Sequence, residues 1–433
     1  MREVNRVVVL GANGAMGAGC GLVFARAGLS TVFLARTREK AEAGRARAAK
    51  RARDESLAAR IEVGGYDDRL AEEVAGADLV FEAVAEDAGV KRALLAEVDR
   101  ARRPGTVVAT VSSGLSIAAL CAGRSADLAR SFLGMHFFNP PHVITGCELV
   151  PHAGTDPAVV AAMAAFLRDR LGRELVVTAD TPAFCGNRIG FKVLNECAQL
   201  AAEHGAAFVD ALAGPHTGRA MGPLATVDFV GWDVHRAIVD HLHANTRDEA
   251  HDAFALPAFM HELMADGHLG DKTADKGGFF RRGGAGKDAP RLALEPRRRA
   301  YVTADAAVPE AARRMCELHA AGRHVGALDV LAHAGGDGAL MRRIVLGYIG
   351  YALGRVGEVV ERVEDVDRIM AHGFRWAPPG LLCDLLGARR TIRLLDEHAL
   401  AVPPVLVRAA DSQRPLCPQH DPARYFPVAA AAA

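Results

Sequence analysis

Gly11, Gly14 and Gly17 stand three apart, between the apolar run Val7-Val8-Val9-Leu10 and a helical pattern that ends near Ala27 and is stopped by Gly28. Glycine at such a point lets the chain turn sharply from strand to helix. It also lets an anionic group approach main-chain N–H groups at a helix N-terminus, where the helix dipole favours negative charge. That is the chemistry of pyrophosphate binding, and with Ala15 and Met16 these residues form a candidate dinucleotide loop. The spacing is G-x-x-G-x-x-G, one residue longer than the usual G-x-G-x-x-G. At the end of the next apolar run, residues 31–34, an Asp or Glu would read the adenine ribose of NAD. The chain has Ala35, Arg36, Thr37 and Arg38 there. With no acid to accept from the 2′-hydroxyl, Arg36 or Arg38 could pair with a 2′-phosphate, so NAD and NADP are both open.

A second constellation is His136-Phe137-Phe138-Asn139-Pro140, followed twelve residues after the histidine by Glu148. The histidine closes a predicted strand, where α/β enzymes place reacting groups. A loop that reverses past Pro140-Pro141 would return the carboxylate to the imidazole. An imidazole oriented by a carboxylate is a general base for a hydroxyl proton. Other signals fail. His261-Glu262 begins like a zinc helix, but Ala265 occupies the second histidine's place. The segment GHLGDKT at 267–273 is too short for a phosphate-binding loop and follows no strand. No Gly-x-Ser-x-Gly nucleophile turn occurs. The basic stretch 272–287 is read as a solvated loop.

These residues need a frame to hold them. Apolar runs at 7–10, 31–34, 79–81, 106–108, 132–138 and 174–178 alternate with amphipathic stretches, which predicts a doubly wound, mostly parallel sheet in a Rossmann-like domain over 1–183. Thr181-Pro182 reads as a helix cap followed by proline at the first helical position, with a long helix over 184–203. From there the pattern is mostly helical. Residues 280–299, glycine-rich and then basic, read as a linker between two all-α domains, 184–290 and 300–433. An internal repeat crosses this linker at an offset of 155. It pairs Arg188-Ile189 with Arg343-Ile344 and Asp210 with Asp365, matches 221–224 loosely to 376–379, and sets Asp228 and Gly231 near Asp384 and Gly387. A duplicated helical domain is expected, and residues 429–433 read as a frayed alanine tail.

Composition limits the partners. The 433 residues are 50% hydrophobic and 24% charged, with 52 basic residues against 52 acidic, so no bulk electrostatic case for nucleic acid or an anionic membrane exists. No apolar run reaches the ~18–20 residues of a membrane helix, and with a strand pattern starting so early no secretory signal is expected. Eight cysteines without a Cys-x-x-Cys pair predict reduced thiols in a cytoplasm.

Taken together, these motifs resemble the 3-hydroxyacyl-CoA dehydrogenases of fatty-acid oxidation. The segment from His136 through Glu148 is similar to that family's catalytic segment. Residues 77–99 (ADLVFEAVAEDAGVKRALLAEVD) resemble its second mononucleotide-binding half, and 181–188 (TPAFCGNR) the stretch that delivers an asparagine. Residues 218–233 and 270–280 resemble the helical C-terminal domain, and 364–387 its second copy in long-chain and multifunctional members. The resemblance implies His136 as general base and Glu148 as the group that orients it. It implies Ser113 and Asn187 as donors to the reacting oxygen and thioester, and Glu86 and Lys91 near the nicotinamide ribose. It implies an acyl-CoA substrate, and no fused hydratase is expected. Ala35 and Val111 depart from the family pattern, and Ser112 competes with Ser113 for the serine's role. At this point a dehydrogenase of a related hydroxy acid or acyl-carrier-protein thioester, and a catalytically silent dinucleotide-binding protein, are the alternatives. The two helical copies are expected to pack as a pseudo-dimer within one chain, with Arg342 at the place of Asn187 and Leu346, Ile349 and Leu353 buried against the first copy. A higher oligomer stays possible.

Overall fold

Strand β1 (Arg6–Leu10) carries four consecutive buried apolar residues, because both faces of the sheet it joins are covered. Val7 and Val9 belong to one apolar cluster and Val8 and Leu10 to the other, as the alternation of side chains along a strand requires. The computed structural model describes residues 3–284, 289–304 and 308–426. Lys287 and the alanine tract 429–433 lie outside the described residues. The chain divides into two compact units, Met1–Cys185 and Gly186–Ala433.

The first unit is one eight-stranded sheet. Besides β1 it contains β2 (Ser30–Ala35), β3 (Glu62–Gly65), β4 (Leu79–Glu82), β5 (Val107–Thr110), β6 (Phe132–Phe137), β7 (Gly146–Pro151) and β8 (Glu174–Val177). Their order is β3-β2-β1-β4-β5-β6-β7-β8, so the strand order reverses between β1 and β4, where such folds open a ligand crevice. Strands β1 to β6 run parallel; β7 is antiparallel to β6, and β8 runs parallel to β7. The sequence reading missed β3 and β7. The first is the short, glycine-rich EVGG, and the second lies behind an irregular loop that hides its period.

Among its described residues, the second unit is helical apart from one small sheet. Residues 280–299, expected as a linker, instead supply β9 (Phe280–Arg282) and β10 (Arg291–Glu295), which pair antiparallel with each other and with β11 (Ala300–Thr303). Ala293 and Leu294 are buried, and Arg291 stacks on the Phe280 ring at 3.8 Å, so apolar cross-strand packing ties down a segment that its charge made look solvated. Lys272, in the same basic stretch, pairs with Asp233 at 2.7 Å.

The internal repeat reappears as repeated hydrogen bonding. Asp210 accepts from the Leu224 N–H and Asp367 from the Gly380 N–H, each at the start of a proline-led helix. Asp228 accepts from the Phe279 and Phe280 N–H groups, and Asp384 from those of Leu416 and Cys417. The counterpart of Asp210 is therefore Asp367; the expected Asp365 instead pairs with Arg362 at the surface. The copies meet where helix Gly186–His204 crosses helix Asp337–Gly354. Lys192 Nζ donates to the Gly347 carbonyl at 3.4 Å. Arg188 reaches Tyr351 Oη at 3.1 Å and Asp248 at 2.8 Å, and Arg355 reaches the same carboxylate at 3.0 Å. Leu346, Ile349 and Leu353 are buried as expected. At ~100° per residue they lie on the far side of their helix from Gly347 and Tyr351, the positions that meet Lys192 and Arg188 of the first copy.

Candidate active site

The glycine loop closes the β1 turn. Gly11 has φ +74°, and a Cβ there would lie 2.5 Å from the Ala83 carbonyl oxygen; one at Gly17 would lie 2.4 Å from the Gly11 oxygen. Gly14 is not crowded in this way. It caps helix Ala15–Arg26 and leaves the approach to the N–H groups of Ala15, Met16 and Gly17 free of a side chain. The loop therefore fits a dinucleotide pyrophosphate by backbone donors and helix dipole. A residue unnoticed in the sequence joins it: Tyr66 Oη accepts from the Gly11 N–H at 2.8 Å. Burial pushes the Tyr66 phenol up to about 12, with the Arg36 charge nearby acting the other way.

Ala35 ends β2, buried and opposite Gly65. Arg36 and Arg38 are both exposed. Arg38 pairs with Glu42 at 3.3 Å, whereas Arg36 makes no ion pair among the described residues. Of the two arginines expected near the ribose, Arg36 is the one whose charge is unspent.

Beyond β4 and β5 a chain of ionic contacts sets the next loop. Glu82 and Lys91 are fully buried against each other, with Nζ 2.9 Å and 3.0 Å from the two carboxylate oxygens. Thr110 Oγ1 donates to Glu82 at 2.6 Å, and Lys91 also reaches Glu86 at 3.3 Å. Glu86 Oε1 accepts from Ser112 Oγ at 2.6 Å and from the N–H groups of Ser113 and Gly114 at 2.9 Å and 3.1 Å. Burial raises the Glu86 pKa, but Lys91 and these three donors outweigh it and hold the carboxyl below its ordinary value. The two serines are thereby told apart. Ser112 is buried with its hydroxyl spent on Glu86, while Ser113 is half-buried and its hydroxyl makes no hydrogen bond among the described residues. Glu82 and Thr110 escaped the sequence reading because a buried acid inside an apolar strand carries no motif of its own.

His136 and Glu148 lie directly opposite each other in the antiparallel β6–β7 pair. The expected reversing loop is a strand hairpin, which fixes the pair by register. His136 Nδ1 is 2.6 Å from Glu148 Oε2, with His136 4% exposed and Glu148 fully buried. Glu148 Oε1 accepts from the Cys185 N–H at 2.9 Å. Phe138 and Phe184 wall the imidazole at ring distances of 4.9 Å and 5.6 Å. Here the Thr181-Pro182 expectation is corrected. Ala183 and Phe184 are left-handed, both at φ +58°, and the helix starts only at Gly186. Non-glycine residues adopt that region at a cost of ~1–3 kcal/mol each, an expense typical of sites where the backbone must aim a group. The group aimed here is the Cys185 N–H. Asn187 lies two residues further on, buried in the first turn of helix Gly186–His204 of the second unit.

In the second copy, Arg342 donates to the carbonyls of Ala332 and Ala334 at 3.2 Å and 2.7 Å and to His398 Nε2 at 3.0 Å, a helix-end contact. No group of three or more potential metal ligands occurs among the described residues.

The comparisons with known proteins agree with this geometry. Residues 6–181 match the family model of the 3-hydroxyacyl-CoA dehydrogenase NAD binding domain, and 184–279 that of the C-terminal domain. A Deinococcus radiodurans protein named "Probable 3-hydroxyacyl-CoA dehydrogenase" is 32% identical over 304 residues, covering 67% of this chain and 86% of that protein. A Bacillus subtilis protein of the same name is 28% identical over 340 residues, 77% of this chain but only 42% of its own length. The fold of an Escherichia coli 3-hydroxybutyryl-CoA dehydrogenase superposes with a TM-score of 0.72 at 23% identity, covering 95% of this chain and 99% of that one. With a strand-paired His136–Glu148 couple in the same unit as a glycine-lined dinucleotide turn, and family models matching residues of both units, this chain belongs to the 3-hydroxyacyl-CoA dehydrogenase family.

Proposed function

We propose that the protein is a 3-hydroxyacyl-thioester dehydrogenase, interconverting the 3-hydroxyl and 3-oxo forms of an acyl-CoA, with one active site per chain. The observation that carries this is the buried 2.6 Å contact between His136 and Glu148. With Glu148 holding a proton on Nδ1, the lone pair of the ring lies on the opposite nitrogen, Nε2, the form required of a base. His136 takes the hydroxyl proton at Nε2, and Glu148 balances the imidazolium that results. A bound nicotinamide cofactor supplies the hydride acceptor in oxidation and the donor in reduction. Ser113, with its unspent hydroxyl, and Asn187 donate hydrogen bonds to the oxygen on which charge changes. Gly11, Gly14, Ala15, Met16 and Gly17 hold the pyrophosphate, and the Glu82–Lys91–Glu86 chain fixes the loop that carries Ser113.

NADP is a reading of equal standing with NAD. Ala35 presents no acceptor to a 2′-hydroxyl, and Arg36 offers an unpaired charge to a 2′-phosphate. The second copy takes the structural place that a partner's helical domain would fill. All eight cysteines are unbridged, which supports the reducing cytoplasm, and no described helix is long and apolar enough to cross a membrane. The test is a turnover screen of acetoacetyl-CoA and longer 3-oxoacyl-CoAs with NADH and NADPH, beside the matching acyl-carrier-protein thioesters. Firm cofactor binding without turnover of any of them would leave a silent dinucleotide-binding protein.

A further inference from the structure

One cleft of the first unit gathers positive charge that acids do not balance. Arg26, His142, Arg170 and Arg173 line a space of about 180 Å³ together with Val23, Ala27 and Leu171. Arg51 lies close enough for its charge to act on His142. Across the whole chain, 52 basic residues face 52 acidic ones, and buried arginines elsewhere have carboxylates or aromatic faces: Arg102 has Asp99 and Asp127, Arg355 has Asp248, Glu249 and Glu358, and Arg219 lies over the Tyr348 and Trp376 rings. Around this cleft the pattern fails. Arg173 spends Nε on the Leu171 carbonyl at 2.9 Å and Nη1 on those of Pro141 and Ile144 at 2.8 Å and 3.0 Å. Arg51 donates to the Ala15 carbonyl at 2.7 Å and Arg26 to that of Ala52 at 3.5 Å. Among the described residues only Arg170 of this group has a carboxylate, Glu3 at 2.9 Å, and that side chain is 73% exposed. His142 Nδ1 is buried with no hydrogen-bond partner among the described residues.

A solvated basic patch would leave its charges spread in water. Here His142 and Arg173 are half-buried, and carbonyl oxygens fix the Arg173 fork without neutralising it. Burial first, and then the neighbouring arginines, depress the His142 pKa, and burial likewise depresses those of Arg51 and Arg173. Gathering like charges in one cleft is unfavourable until an anion joins them, and planar guanidinium forks suit oxyanions. Donors arriving from helix Ala15–Arg26, from the loop after β6 and from the turn before β8 surround a ligand from several sides. That suits a tetrahedral oxyanion better than a planar carboxylate.

We propose that this cleft is a binding site for a phosphate monoester, with Arg173, fixed through Nε and Nη1, donating from Nη2, Arg26 and Arg170 as the closing charges and His142 as an additional donor through Nδ1. The phosphate could belong to the CoA part of the substrate or to a separate phosphorylated compound. Only the choice between these sources rests on the thioester reading above.

The test titrates the full chain with inorganic phosphate and with adenosine 3′,5′-bisphosphate by calorimetry. Wild type is compared with Arg26→Gln/Arg170→Gln, whose two sites are exposed and tolerant, and with His142→Gln. Wild type should bind, and the double variant should bind at least about tenfold more weakly at unchanged thermal stability. A wild-type chain that binds neither compound, or a double variant that binds as well as wild type, overturns the proposal. KM then identifies the source. If it rises for acetoacetyl-CoA and not for acetoacetyl-pantetheine, the phosphate is the substrate's own. If phosphate binding is lost with both KM values unchanged, the ligand is a separate phosphorylated compound. A chain inactive on every thioester would defeat the function proposed above while leaving the phosphate titration to decide the cleft.

Discussion

Replacing Glu148 with Gln probes the proposed base through its partner. The carboxylate is fully buried and uses both oxygens, Oε2 toward His136 Nδ1 at 2.6 Å and Oε1 toward the Cys185 N–H at 2.9 Å. A glutamine of the same shape can serve only one of these contacts correctly. If its oxygen keeps the Cys185 N–H, its NH₂ faces Nδ1, and Nδ1 must become an acceptor. The ring proton then moves to Nε2, the atom that should take the substrate proton. If the amide flips, two N–H donors face each other at Cys185, a buried mismatch of ~1–3 kcal/mol. Either arrangement also removes the charge that stabilises the imidazolium. General-base catalysis contributes about 10²–10⁴-fold, or ~3–5 kcal/mol of barrier, and a carboxylate-to-amide change that sets the wrong tautomer in a serine-protease triad costs about 10⁴-fold. We expect kcat for acetoacetyl-CoA reduction to fall by about 10²–10⁴-fold. NADH or NADPH binding, followed by fluorescence, should stay within a factor of ~3, because the dinucleotide turn is built from other strands. A variant with kcat within about tenfold of wild type would refute the reasoning, since the base would then not depend on this carboxylate.

Other outcomes follow from other parts of the chain. Ala35→Asp adds an acceptor for the 2′-hydroxyl and repels a 2′-phosphate, so the NAD/NADP ratio of kcat/KM should rise; an unchanged ratio would place the ribose contact elsewhere. Truncation after Arg299 removes β11 and strips Tyr351 and Arg355 from the Arg188–Asp248 cluster. Breaking a buried ion network costs ~3–5 kcal/mol, so the fragment should aggregate or lose activity, and a soluble, fully active monomer would show that the second copy is dispensable. Burial, with Asp384 and Glu364 nearby, pushes Asp367 up to about 7 from an ordinary 3.8. The native chain thus holds a proton that the unfolded chain has lost, and the contribution present below about 3.8 is lost as pH rises through about 7. Asp367→Asn should therefore gain stability relative to wild type between these limits, by no more than ~4 kcal/mol. Urea unfolding at both ends of the range checks this, and a difference that stays constant with pH would contradict it.

Short-range information in the chain determined the parts of this protein that depend on neighbours in sequence. The β-branched run at 7–10, the glycine spacing behind it and the helix that follows are local choices, and the dinucleotide turn could be read from them because backbone sterics act over a few residues. The histidine at a strand end and the carboxylate twelve residues on were likewise visible as a pair. What the sequence could not show was how they meet. Hairpin register, set by the pairing of β6 with a β7 that has no clear period, makes them direct cross-strand neighbours. The left-handed turn at Ala183-Phe184 that aims an N–H at Glu148 broke the expected Thr181-Pro182 cap, because a distant acceptor outweighed local capping preference. Glu82 and Thr110 came to light only through contacts spanning 9 and 28 residues, and Ser112 was told apart from Ser113 only by one spanning 26. The same holds for the Arg26–His142–Arg173 cleft, whose charges are scattered in sequence and gathered in space. Burial and electrostatics act through distance in the fold, so only the tertiary structure decides which of many similar residues lose water, keep a charge or face a partner.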